Sequence, residues 1–178
     1  MSKTTMRCQA PLLSTLVMLL GACQAAPQLP EGLDRLEAAR SAFAVGDDQT
    51  AVAFAEGVAG DEALSPGERG EAAFVAAEAE MRRGEHLDAY RHYRSILENA
   101  PFSEHVGIIE GRLFEIGTAF FEEEKYDGWI FDEHARGVGV METLRTHYRK
   151  SNLADDALKA IADYLASPEV GDWEEASL

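Results

Sequence analysis

At 178 residues the chain is of one-domain length, with room for a single core or a short repeat array but not for two independent cores. Its 32 acidic against 16 basic residues give a formal charge of −16. A body of that sign repels phosphate backbones and anionic lipid headgroups, which argues against a nucleic-acid partner and requires any membrane hold to come from something other than charge.

Residues 1–22 have the three-part form of a secretory signal: Lys3 and Arg7 in a basic start without acids, an apolar run over residues 12–20, and small residues before a cleavage point. The run is about half the length that crosses a bilayer as a helix, so it addresses the chain rather than anchoring it. Its removal leaves 156 residues, with 14 basic against 32 acidic and a formal charge of −18. The run ends in Leu20-Gly21-Ala22-Cys23. This tetrapeptide resembles the bacterial lipobox, in which a signal peptidase cuts before the cysteine and its sulfur carries a diacylglycerol. The alternative is an ordinary signal cleaved near Ala25-Ala26, which would discard Cys23. With the lipobox, a covalent lipid on Cys23 is the one expected addition and no other cofactor is implied; at ~0.8 kcal/mol per buried methylene, a multiply acylated cysteine is a firm anchor. Position 24 is Gln24 and not the Asp that tends to retain such proteins in the inner membrane, which in a host with two membranes implies the outer one, facing the periplasm. Cys8 falls within the signal, so Cys23 is the only thiol of the mature chain and no internal disulfide is possible.

Residues 23–32 form the lipidated cysteine and a short tether, small, polar and interrupted by Pro27 and Pro30. Beyond it, over residues 33–178, apolar positions recur at three- and four-residue spacing and no stretch alternates for long, which predicts an all-α body. Leu33, Leu36, Ala39, Ala42 and Phe43 share a helical face that stops at Gly46-Asp47, and Ala51, Val52, Phe54, Ala55 and Val58 supply a second face, a helical hairpin. The next hairpin opens at Ser65-Pro66-Gly67-Glu68, with Ser65 as N-cap, Pro66 at the first helical position and Glu68 closing a capping box. Its first helix runs to Arg83, Gly84-Glu85 turns the chain, and Leu87, Ala89, Tyr90, Tyr93, Ile96 and Leu97 line a second helix that Pro101 stops. A third unit opens at Ser103, with Leu113, Phe114, Ile116, Gly117, Phe120 and Phe121 on its first helix. Between Glu124 and Gly137 lies an insertion whose Tyr126, Trp129, Ile130 and Phe131 are too aromatic for a plain linker; it is either a partner-binding element or local packing on the array. A helix then resumes over residues 138–149, and a last unit starts near Leu153 and carries Ile161 and Leu165. The start of a further helix at residues 171–176 predicts a truncated C-terminus, because a helix-pair array needs a polar cap.

A unit of about 34 to 36 residues made of two helices points to a solenoid of antiparallel helix pairs, in which stacking buries what no single pair can. Here the chain resembles the tetratricopeptide repeat: Ala77, Gly84, Ala89, Tyr93 and Pro101 fall at its small, turn, small, aromatic and terminating-proline positions, and Gly117 and Phe120 repeat the small and aromatic ones. Lipobox, tether and divergent repeats together resemble the BamD/YfiO type of outer-membrane assembly lipoprotein, over residues 87–176. Asn99-Ala100-Pro101-Phe102-Ser103, the aromatic insertion, Tyr148-Arg149-Lys150-Ser151 and Ala154-Asp155-Asp156-Ala157 carry the likeness, and Arg149 departs from it by standing where a proline is usual. The resemblance implies a scaffold, not an enzyme, that holds envelope proteins or unfolded clients during assembly of outer-membrane β-barrel proteins, with the β-barrel assembly machinery as partner. The alternative is a generic tetratricopeptide-repeat adaptor lipoprotein of another envelope complex.

No catalytic set is visible: there is no paired nucleophile and base, no metal-ligand spacing and no phosphate cradle, and so no small-molecule substrate is expected. His86, His92, His105, His134 and His147 are scattered without an H-E-x-x-H or comparable pattern, which predicts structural or surface roles and no metal. Asp47-Asp48 and Glu122-Glu123-Glu124 lack the alternating ligands and central glycine of a calcium loop and read as solvated faces. His-Tyr-Arg occurs at residues 92–94 and 147–149, out of register between units.

Overall fold

A computed structural model of the chain describes residues 27–122 and 133–166. Among them the fold is all-α, as expected: α1 (Arg35–Val45), α2 (Asp48–Ala59), α3 (Pro66–Arg83), α4 (His86–Asn99), α5 (Val106–Glu122), α6 (Glu133–His147) and α7 (Asn152–Leu165). No helix among the described residues is long and apolar enough to cross a membrane.

Local chemistry sets most of the boundaries. Asp34 caps α1 by accepting from the Glu37 amide at 2.8 Å, and Asp47 does the same for α2 through the Thr50 amide at 3.2 Å. The Ser65 hydroxyl accepts from the Glu68 amide while the Glu68 carboxylate takes the Ser65 amide, a complete capping box with Pro66 behind it. The α1–α2 and α3–α4 turns are twins. Gly46 at φ 82° and Gly84 at φ 76° both occupy the left-handed region, and the next amide reaches back five residues, Asp47 to the Ala42 carbonyl and Glu85 to the Glu80 carbonyl, each at 2.9 Å. Asp48, expected on a solvated face, instead pairs with Arg82, whose guanidinium also donates to the Phe43 carbonyl and lies 3.7 Å over the Phe43 ring.

Leu33, expected on the first helical face, lies before the cap of α1, and α6 ends at His147 rather than Arg149; the larger difference is where α6 begins. α6 begins at Glu133, five residues before the expected Val138. Gly137 and Gly139 make this stretch read as a turn, yet Gly137 lies helical and buried where a Cβ would come 2.8 Å from Phe121 Cε1. The glycine serves close packing of α6 on α5, which local propensity does not express. The aromatic insertion residues Tyr126, Trp129, Ile130 and Phe131, the lipobox with Cys23, and the segment 171–176 lie outside the described residues.

Each helix packs on its sequence neighbours, and α1 also touches α3, α4 touches α6 and α5 touches α7. α3 is the centre. Ala72, Val75 and Ala76 face a core shared with Ala38, Ala39, Phe54, Ala55 and Val58 of α1 and α2. Ala73 and Ala77 face a second core with Ala89, Tyr93, Ile96 and Leu97 of α4 that continues through Ile109, Leu113, Ile116 and Phe120 to Val140, Met141, Leu144, Ala157 and Ile161.

Candidate functional site

The residues that carry the repeat resemblance gather in that second core. Ala77, Ala89 and Tyr93 are fully buried, Phe120 is 3% exposed, and all four belong to one cluster. Gly117 is buried against Met141, Gly84 makes the hairpin turn, and Pro101 follows the end of α4 at the surface. Small residues thus occupy the close approaches and the aromatics fill the space beside them. These positions build the scaffold; the polar groups around them define its candidate contact surface.

The most connected polar arrangement spans α1, α3, α4 and α5. Although α3 and α5 nowhere come within 8 Å of each other Cα to Cα, long side chains close the gap. Arg112 of α5 donates from Nε and Nη2 to the two oxygens of Glu78 on α3, at 2.9 and 2.6 Å, and from Nη1 to Glu115 at 2.8 Å. The buried Tyr93 of α4 donates its hydroxyl to the same Glu78 at 2.6 Å. Two turns earlier on α3, Glu71 receives Arg40 of α1 at 3.1 Å on one oxygen and His105, just before α5, at 2.5 Å on the other. The His105 ring stacks on Phe74, centroids 3.8 Å apart and nearly parallel. Positions 71, 74 and 78 fall on one side of α3 by helical spacing, so a single helix face presents carboxylate, ring and carboxylate.

Electrostatics follow the geometry. Burial alone would push the Glu71 carboxyl up, but the hydrogen bonds and charges of His105 and Arg40 outweigh it and hold the carboxyl below its ordinary value. Burial and the Glu78 carboxylate push the Tyr93 phenol far above its usual range, which keeps it a donor. The Glu78 hydrogen bonds raise the Arg112 guanidinium further against a smaller opposing effect of burial. At the far end, Tyr148 donates to the Val106 carbonyl and Ser151 bonds Glu110, fastening the α6–α7 junction to the start of α5; burial and the Glu110 charge push the Tyr148 phenol up to about 12.

Two groups among the described residues bring one histidine and two glutamates to within 4.8 Å of one another: Glu71, Glu104 and His105 at the seam, and Glu56, Glu80 and His92 between α2, α3 and α4. In the first, Glu71 is already engaged by Arg40 and His105. In the second, burial would lower the His92 imidazolium, and the adjoining Glu80 carboxylate, with the charges of Glu56 and Asp88, holds it above its ordinary value.

The sequence reading named none of these polar pairs. The signal that could have found the seam is the 34-residue separation of Glu71 from His105 and of Glu78 from Arg112. The trio at His92 has no such regularity, since its members come from three helices. The two His-Tyr-Arg triplets do differ in role: Tyr93 ties the middle of α4 to Glu78 of α3, whereas Tyr148 ties the end of α6 to α5. Comparison with known proteins finds no matching family model, no matching curated protein and no matching solved structure.

Proposed function

We propose that the chain is a non-catalytic, lipid-anchored scaffold, a tetratricopeptide-like solenoid held to the outer membrane through Cys23 and facing the periplasm, that binds partner proteins or unfolded clients during assembly of outer-membrane β-barrel proteins. The observation that carries the solenoid reading is the register of the seam: Glu78 with Arg112 joins the first helices of successive hairpins, and Glu71 meets His105 just before α5, both at a separation of 34 residues. That separation is the tetratricopeptide period. Burial of Ala77, Ala89 and Tyr93 supports the same reading, since these are its signature positions. An array stacked in register sets its first helices side by side, and such a row recognises partners through groove contacts without a catalytic group. Here the row carries a cation on α1 (Arg40), two carboxylates on α3 (Glu71 and Glu78) and a cation on α5 (Arg112), on the side where α1, α3 and α5 follow one another.

The test is a mild-detergent pull-down of the full-length protein from its native envelope, with mass spectrometry of everything retained and of its own N-terminal peptide. Retention of the barrel insertase together with a diacylated Cys23 supports the reading. Recovery with a different envelope complex moves the assignment to a generic repeat adaptor. An unmodified N-terminus beyond Cys23 without the insertase overturns both anchor and assignment.

A further inference from the structure

The trio Glu56, Glu80 and His92 lies apart from the seam and has no part in the function proposed above. Glu80 is only 4% exposed, and its Oε2 is buried without a hydrogen-bond partner. A buried carboxylate oxygen left unpaired is costly, because it loses water and gains nothing in return. Its other oxygen lies 3.5 Å from His92 Nε2. That is too long for a well-formed hydrogen bond, but it matches the edge between two ligands of a tetrahedral ion: donors at about 2.1 Å from Zn2+ sit about 3.4 Å apart. Glu56 brings a third donor from the exposed side of α2, and the ligand atoms of all three lie within 4.8 Å of one another.

We propose that Glu56, Glu80 and His92 form a binding site for a divalent transition ion of the Zn2+ class. The imidazole nitrogen selects this class over Mg2+ and Ca2+, which take all-oxygen shells of six or more ligands. Three protein donors leave one tetrahedral position, which solvent fills on the Glu56 side. The ion neutralises the buried Glu80 carboxylate and clips α2 to α3 and α4, and so joins the first hairpin to the second. The seam trio of Glu71, Glu104 and His105 makes the contrast, since its central carboxylate already holds a cation and an imidazole and leaves no oxygen idle.

The test is calorimetric titration of the tag-free full chain in mild detergent with ZnCl2, and with MgCl2 and CaCl2 separately, together with thermal melts in each salt. One Zn2+ per chain, a raised Tm and no comparable response to Mg2+ or Ca2+ are expected. Because Glu80 is buried, the variants are His92→Gln and Glu56→Gln, at a partly buried and an exposed position. Each should weaken Zn2+ binding at least tenfold and remove the Zn2+-dependent rise in Tm, while the Tm without metal stays close to that of the parent for Glu56→Gln. Absence of Zn2+ binding, binding that both variants leave intact, or equal affinity for Ca2+ overturns the site.

Discussion

The two ends of the described helical array are packed by different means. Around α1, α2 and the near face of α3 the core is built mostly of alanine, with Ala39, Ala51, Ala55, Ala72, Ala76 and Ala79 all at 0% exposure. Around α5 and α6 it is built of large side chains, with Ile109, Leu113, Ile116, Met141 and Leu144 equally buried. Small residues let helices approach closely and leave little volume to lose. Large ones hold helices further apart and concentrate stability in a few side chains. The same principle of close packing therefore predicts opposite sensitivities at the two ends.

The largest effect belongs to the large-residue end. Leu113→Ala should cost about 2–5 kcal/mol in urea unfolding, the lost transfer energy plus a residual cavity; a cost below that of a surface substitution would mean that this core is not the dense one. At the alanine end the damaging change is the reverse. Ala76→Leu forces a larger side chain between α1, α2 and α3 and should cost about 1–3 kcal/mol by overpacking, whereas Ala76→Gly, which opens almost no space, should lose mainly its helix propensity, about 1 kcal/mol. Parity between the leucine and glycine variants would break the comparison.

The seam lies between the two ends and should respond to charge more than to volume. Glu78→Gln weakens both the Arg112 pair and the Tyr93 hydrogen bond; because Arg112 is about one-third exposed, solvent screening holds the loss to about 1 kcal/mol. A double-mutant cycle with Arg112→Gln should show coupling between the two positions, and simple additivity would mean that the bridge contributes nothing. The smallest effect is the pH dependence of Glu71. Its folded carboxyl titrates below the unfolded value of 4.5, so its stabilisation is fully present above that value and is lost as pH falls through the folded one. The acid limb of a stability profile should flatten in Glu71→Gln relative to the parent.

Where a boundary is written in a few adjacent residues, the sequence was sufficient. Ser65, Pro66 and Glu68 start α3, Gly84 ends it, and Pro101 follows α4, each through backbone chemistry that acts within a turn. The start of α6 escaped because Gly137 serves Phe121, a residue sixteen positions away, and a glycine that permits contact looks the same in sequence as one that permits a turn. The candidate surface escaped for a related reason. Glu78 and Arg112 each look like an ordinary solvated charge on an amphipathic helix until the fold brings them within reach across the gap between α3 and α5, and Glu80 looks no different from Glu78 although one is buried with an idle oxygen and the other is bridged. Residue type alone does not tell which side of a helix meets a neighbour when neighbours lie on several sides.

That several-sidedness has a thermodynamic consequence for α3. The helix gives Ala72, Val75 and Ala76 to one core and Ala73 and Ala77 to the other, so neither end can unfold without stripping a face from an element that the other end needs. An array whose ends met only across a polar seam would melt in two steps, each reporting its own half. With one helix common to both, the described residues behave as a single cooperative unit: calorimetric and van't Hoff enthalpies should agree, and amide exchange in α3 should track the global free energy rather than any local opening.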